Sequence, residues 1–265
     1  MKVEILISSV NSKILRYLDN FQPENELEYL IINQISEDRQ ILSAGDIDRD
    51  DIRIFNYHES GLSCSRNRAL ELARGDICLL ADDDVRYIPE AISRVREIFA
   101  TDRPDVATFC MLYPDSSPAR RYPDRIVKHN LLSIMKVSSV EIAFRREVIV
   151  GKNIRFDEKF GLGGIFPSGE ENIFLRQCLI KKLQVKFYPI NLVIHDSSKK
   201  SGKLDDLSFA RAKGAMFARM FPLTAPLWSL LFACKKIPYF ARRYTLWKYY
   251  KSMLAGIREY KEESI

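Results

Sequence analysis

Five consecutive apolar residues, Ile77-Cys78-Leu79-Leu80-Ala81, end without transition in Asp82-Asp83-Asp84. Successive side chains of a strand point to opposite faces, so an apolar run without alternation has to be covered on both. That condition belongs to a central strand of a layered α/β sheet, and it puts three carboxylates at the strand's carboxyl end. Ligands of open α/β sheets bind beyond that edge. If the backbone stays extended, Asp82 and Asp84 project to one side and Asp83 to the other, toward the fold. Two converging oxygen donors suit a hard divalent cation, Mg²⁺ or Mn²⁺, able to bridge the protein to a pyrophosphate. A solvated turn before a helix N-terminus is the plainer alternative.

The flanking sequence supports the layered sheet. Short apolar or β-branched runs predict strands at 3–9, 29–32, 52–55, 76–81 and 105–112, separated by helical spacing at 14–18, 65–73 and 91–99. Such alternation is the mark of a mostly parallel sheet flanked by helices. Further strands are expected at 138–144, 185–188 and 192–195, the last two as a pair, with a helix over 170–183. At 265 residues and 46% hydrophobic side chains, the chain can bury a sizeable core.

Upstream of the acids, Gly61-Leu62-Ser63-Cys64-Ser65-Arg66-Asn67-Arg68 leads into a helix, and Ala73-Arg74-Gly75-Asp76 turns into the strand. Downstream lie Phe160-Gly161-Leu162-Gly163-Gly164 and Gly169-Glu170-Glu171. In this order and spacing the pieces resemble family 2 glycosyltransferases of the GT-A fold, a Rossmann-like α/β architecture. There an Arg-Asn pair opens a helix, a Gly-Asp turn follows, and the next strand ends in a D-x-D motif. The resemblance covers about Val3 to His195.

The resemblance implies an inverting transfer from a nucleotide diphosphate sugar, with a UDP-sugar as first expectation, to an acceptor hydroxyl. It assigns Asp84 and Asp82 to the metal and donor, Arg66, Asn67 and Asp83 to the donor's surroundings, and a late histidine, His195, to the metal. Glu171 is the expected general base, with Glu170 as fallback. The family shows Asp more often at the position of Glu171, and Ser168 to Glu171 also reads as a capping box. Arg68 is expected to do ordinary helix-surface chemistry. At the N-terminus Ser8-Ser9-Val10-Asn11 and Ile31-Ile32-Asn33-Gln34 stand where the family carries its nucleotide-contacting turns. Ser8, Asn11 and Asn33 are therefore donor candidates, although the family's acid is missing there. Lys199, Lys200 and Lys203 fall in a polar loop that either reaches donor phosphates or is simply solvated.

Charge separates the two ends of the chain. The net charge is +6, yet residues 211–265 hold eleven Lys and Arg against three Glu, a net of +8, which leaves −2 for residues 1–210. From Leu207 to Arg258 there is no acid, and ten basic residues alternate with aromatics that include both tryptophans, Trp228 and Trp247. The expected division is a GT-A catalytic domain over 1–206 and a helical, basic amphipathic extension over 207–265. The apolar stretch from Phe221 to Cys234 is too short to span a bilayer and predicts an interfacial element on an anionic membrane. Packing on the catalytic domain or on a second subunit, as a homodimer, is the alternative. Nucleic acid fits less well, because bulky apolar residues interrupt the charge.

Met1 opens no signal-peptide pattern, and five scattered cysteines lack any C-x-x-C pair, so reduced thiols and a cytoplasmic protein peripheral to the inner face of the plasma membrane are expected. The acceptor class suggested by that location is a saccharide or lipid-linked saccharide in surface polysaccharide assembly. A sugar-phosphate nucleotidyltransferase and a catalytically silent scaffold are the competing readings. Against the first stands the lack of a Gly-rich phosphate loop after the first strand; against the second, the presence of both acidic clusters.

Overall fold

The structure, a computed structural model, describes residues 1–36, 47, 49–195 and 206–263. The apolar run forms strand β4 (Ile77–Asp82), and Ile77 to Ala81 are all buried, as two-sided cover demands. It lies inside a sheet that has, among the described residues, nine strands: β1 (Val3–Val10), β2 (Leu27–Gln34), β3 (Ile52–Tyr57), β4, β5 (Val85–Tyr87), β6 (Val106–Leu112), β7 (Val127–Lys128), β8 (Ile142–Arg145) and β9 (Val185–His195). The order is β3-β2-β1-β4-β8-β6-β9-β5, with β7 against β9. Strands β1 to β4, β6 and β9 run one way and β5, β7 and β8 the other, so the sheet is mixed and mostly parallel.

The chain forms two compact units. The first contains the whole sheet, most of helix α1 (Leu62–Leu72), α2 (Ala91–Thr101), α3 (Arg146–Gly151) and the later part of α4 (Glu170–Ile180). Alternation along β4 sorts its core: Ile77, Leu79 and Ala81 join Val3, Ile5 and Ile7 of β1 in one cluster with Ile92, Val95 and Phe99 of α2. Cys78 and Leu80 belong to the opposite face. Among the described residues, the second unit consists of residues 61–63, the loop and turn of 156–173, and residues 206–263, with α5 (Leu207–Met220), α6 (Ala225–Phe240) and α7 (Leu246–Glu262). Asp206 and Thr245 cap α5 and α7 by accepting from the backbone N–H of Ser208 and Lys248.

Several local expectations change. Residues 14–18 form no α-helix but fall in two 3₁₀ turns, Lys13–Arg16 and Leu18–Asn20. The strand expected at 138–144 begins only at Ile142, because Glu141 folds back to accept from the Ser138 N–H at 2.9 Å and closes a 3₁₀ turn. The expected pair at 185–188 and 192–195 is one strand, β9. Its Pro189 sits in a bulge, where the register against β6 jumps from Thr108–Phe187 to Cys110–Asn191. Helix α4 stops at Ile180, and the short elements β5, β7 and α3 carry too little periodicity to be legible. Lys199, Lys200 and Lys203 lie outside the described residues.

Candidate active site

Parallel pairing brings the carboxyl ends of β1, β2 and β4 into register: Ser8 lies beside both Ile32 and Asp82, and Ser9 beside Asn33. Beyond that edge the chain turns sharply. Asn11 and Ser12 both take left-handed φ angles, 50° and 58°, an arrangement that needs outside support in residues other than glycine. The support is side-chain chemistry. Asn33 Oδ1 accepts from the Ser12 N–H at 2.9 Å, and Asn11 Oδ1 accepts from the N–H and hydroxyl of Ser36, both at 3.0 Å. Asn33 also donates to Asn56 at 2.8 Å. Asn11 and Asn33 thus build the turn that delivers Lys13 to the acids.

Each acid of the triplet has a different partner. Asp82, on the α1 side of the sheet, faces the buried Arg66 at 3.3 Å, and Ser65 of the same helix donates to its neighbour Ser8 at 2.8 Å. Asn67, next along α1, is buried as well. Asp83 is buried on the other side, bonded by the Lys13 ammonium at 2.5 Å and the Ser9 hydroxyl at 3.3 Å. Asp84 receives His195 Nε2 at 3.2 Å and has Lys13 at 4.0 Å. The backbone leaves extended geometry at Asp83-Asp84, where it turns into β5. Strict alternation therefore fails, and Asp84 shares Lys13 with Asp83 rather than a side with Asp82. Pairing of Val85 with His195 across β5 and β9 puts the imidazole there.

These partners set the charge states. The His195 bond holds Asp84 below the usual carboxylate range, outweighing its partial burial. Burial pushes Asp83 up, with the Lys13 bond offsetting part of that. For Lys13 burial works against the charge, but the bond and field of Asp83 outweigh it and hold the ammonium above its ordinary value. Lys13 has no motif around it and was not legible as a site residue in the sequence. Arg68 does what a helix surface asks, pairing with Glu59 at 3.3 Å and Glu71 at 3.4 Å.

Among the described residues no three His, Cys, Asp or Glu side chains converge as a metal cage. The donor set nonetheless fits a hard cation that shares its coordination with a ligand. Octahedral Mg²⁺ or Mn²⁺ with bonds of about 2.1 Å places neighbouring ligand atoms about 3.0 Å apart, close to the 3.2 Å between Asp84 Oδ1 and His195 Nε2. Mg²⁺ sites commonly use one or two protein groups plus substrate phosphates.

Glu170 and Glu171 stand at the first turn of α4, in the second unit. Glu170 is buried and Glu171 half-buried. The loop before them is tightly built. A Cβ on Gly161, whose φ is +98°, would come 3.4 Å from the Glu170 carboxyl carbon and 3.2 Å from Ser63 Oγ, which itself donates to the Phe160 carbonyl at 2.6 Å. Gly169, with φ of +103°, lies against Met216 of α5. Tyr260 of α7 packs on Phe160 and Phe166, and Arg211 of α5 donates to the Ile165 carbonyl at 3.0 Å. The C-terminal helices therefore hold the loop that leads into the two glutamates, as the alternative of packing on the rest of the chain anticipated.

A mostly parallel α/β sheet with an acid cluster at the end of its central strand is the GT-A glycosyltransferase architecture, and solved structures bear this out. The chain is similar to S. aureus TarS residues 1–349, solved in complex with UDP-GlcNAc, at a TM-score of 0.65 and 16% identity over 92% of this chain and 74% of that one. For TarS 1–349 without ligand the values are 0.60, 15%, 100% and 91%. Against the longer TarS chain the match has a TM-score of 0.60 and 17% identity, covering 99% of this chain and 55% of that one. No curated protein sequence matches. The pattern of glycosyl transferase family 2 matches residues 5–162, and the chain belongs to that family. It is a glycosyltransferase.

Proposed function

We propose that this enzyme performs an inverting, divalent-cation-dependent sugar transfer from a UDP-sugar to the hydroxyl of a saccharide or lipid-linked saccharide in surface polysaccharide synthesis. Residues 1–206 are its catalytic part, and residues 207–265 place it peripherally on the inner, anionic face of the plasma membrane. The observation that carries the reading is the edge of β4, where Asp82, Asp83 and Asp84 are each held by a different cationic or imidazole partner, in a chain of family 2. The UDP-GlcNAc bound by TarS supports the choice of nucleotide.

Asp84 and His195 are the pair to hold Mn²⁺ or Mg²⁺, and Asp82, beside Arg66, is the second acid assigned to the metal and donor. Such a cation supplies neutralisation of the charge that develops on a departing diphosphate. Lys13 adds a fixed positive charge at the same edge, and Arg66, Asn67, Ser8, Asn11 and Asn33 shape the donor's surroundings. Glu171 takes the acceptor's hydroxyl proton as that oxygen bonds to the anomeric carbon and the bond to the diphosphate breaks. General-base help of this kind is typically worth about 10²–10⁴-fold. Glu170 is the fallback base.

The test compares the protein with Asp84→Ala across a panel of nucleotide sugars in Mn²⁺, following donor hydrolysis and donor binding. The expected result is a response to one UDP-sugar that falls about 100-fold or more in the variant. Indifference to every donor, or equal behaviour of the two proteins, refutes the reading.

A further inference from the structure

Helix α6 is built the wrong way round for a protein surrounded by water. It buries Ala225, Ser229, Ala233 and Phe240, three of them small, while Leu227 is 56% and Leu231 52% exposed. Leu230, Ile237 and Tyr239 are exposed as well, and Leu223, just before the helix, is 97% exposed. At 100° per residue the buried side chains fall within an arc of about 80°, and Leu227, Leu230, Leu231 and Cys234 within an arc of about 100° whose centre lies about 150° away. Small residues thus let the helix approach its own unit closely, and the large apolar ones form a continuous outer stripe. Contiguous exposed apolar surface of this kind marks an interaction site.

Charge says what covers it. Lys235, Arg242 and Arg243 follow the stripe along α6 and the turn after it, and Lys248 and Lys251 extend the basic surface on α7 beside Trp247, itself 59% exposed. The sequence from Leu207 to Arg258 carries ten basic residues and no acid, so positive charge dominates this part of the chain. A second copy of the chain would bring like charges together, whereas acidic lipid headgroups over an apolar acyl layer complement both properties at once. Among the described residues no helix is long and apolar enough to cross a membrane, so contact from the surface is the mode available to α6.

We infer that the outer face of α6, with the first turns of α7, lies in the headgroup layer of an acidic bilayer. Leu227, Leu230 and Leu231 enter the acyl boundary, and the surrounding lysines and arginines contact phosphate. The inference deepens the peripheral placement proposed above and is independent of sugar transfer.

Both tryptophans of the chain, Trp228 and Trp247, sit on these helices, so selectively excited tryptophan emission reports on these two helices. The full-length protein is mixed with phosphatidylcholine vesicles with and without phosphatidylglycerol, and emission and co-sedimentation are recorded. The expected result is a blue shift and pelleting with the acidic vesicles only, weakened by salt. In Leu227→Glu/Leu231→Glu, whose substitutions leave the buried stripe intact, the partition coefficient should fall at least about ten-fold, with unchanged circular dichroism and unchanged UDP binding. Equal partition of the double variant, or no binding to acidic vesicles, overturns the inference. So does a parent dimer in sedimentation that the double variant converts to monomer, since the stripe would then join copies of this chain. Loss of UDP binding in the parent would refute the donor reading and leave the lipid result standing.

Discussion

Replacing Gly214 with alanine should destabilise the protein, although helix propensity alone predicts the reverse. Alanine in a helix interior is favoured over glycine by about 1 kcal/mol. At the crossing of α5 and α7, however, a Cβ on Gly214 would stand 1.9 Å from the Met253 carbonyl oxygen, and one on Gly256 would stand 1.9 Å from the Arg211 carbonyl oxygen. Both obstacles are backbone, so no side-chain rotation relieves them. A normal contact needs about 3.2 Å, and the helices would have to part by over about 1 Å, a gap that forfeits about half or more of each dispersion contact across it. The buried Met216, Tyr249, Met253 and Ile257 line these helices. Overpacking usually costs about 1–3 kcal/mol, and a backbone obstacle belongs at the upper end. A net loss of about 3 kcal/mol corresponds to a Tm lower by about 6–12 °C in a chain of this size. Gly151→Ala is the internal control, because nothing lies within 4 Å of its Cβ and it should be neutral or slightly stabilising. Thermal and urea unfolding by circular dichroism would measure all three proteins. The Gly214→Ala/Gly256→Ala pair should lose less than the sum of the single losses, since the first substitution already opens the crossing. If Gly214→Ala is as stable as the parent, the close approach of α5 and α7 is wrong.

Other consequences follow from buried polar groups. His129 bonds Thr108 through Nε2 at 2.7 Å and Ser133 through Nδ1 at 2.8 Å, and burial lowers it from the ordinary imidazole value of 6.5 to about 4. Below pH 6.5 the unfolded chain then binds a proton that the folded one refuses, so this contribution is complete above 6.5 and is lost as pH falls to about 4. The loss is at most about 3 kcal/mol, and urea midpoints of His129→Gln against pH should be flatter in that window; parallel curves would refute this. Lys13→Met leaves the buried Asp83 without its ammonium. Because Lys13 is 42% exposed, the expected cost is only about 1–2 kcal/mol. Its effect on the donor should be larger, about a ten-fold weaker calorimetric affinity for UDP. Lower stability with unchanged affinity would make Lys13 a purely structural partner of Asp83.

Local sequence determined much of the catalytic unit. The unalternating run of β4 dictated a central strand, parallel neighbours followed from the alternation of apolar runs with helical spacing, and the order of Arg66-Asn67, the acid triplet and Glu170-Glu171 identified the family. Each individual piece lies within a few turns or one strand, where side-chain periodicity and backbone preference are set by adjacent residues, and only their order spans the domain. Tertiary structure decided who faces whom. The Lys13–Asp83 contact joins residues 70 apart and the His195–Asp84 contact residues 111 apart, and neither has a local signature. A turn at Asp83-Asp84 overrode the alternation that strand geometry alone predicts, because the chain had to reverse there into β5. The tail shows the same division. Its basic and aromatic composition was plain in the sequence, but which of its apolar residues are buried depended on the crossing of α5 and α7 at two glycines and on the packing of small side chains beneath α6. Burial is settled by surfaces brought together from distant parts of the chain, and composition carries no record of that pairing.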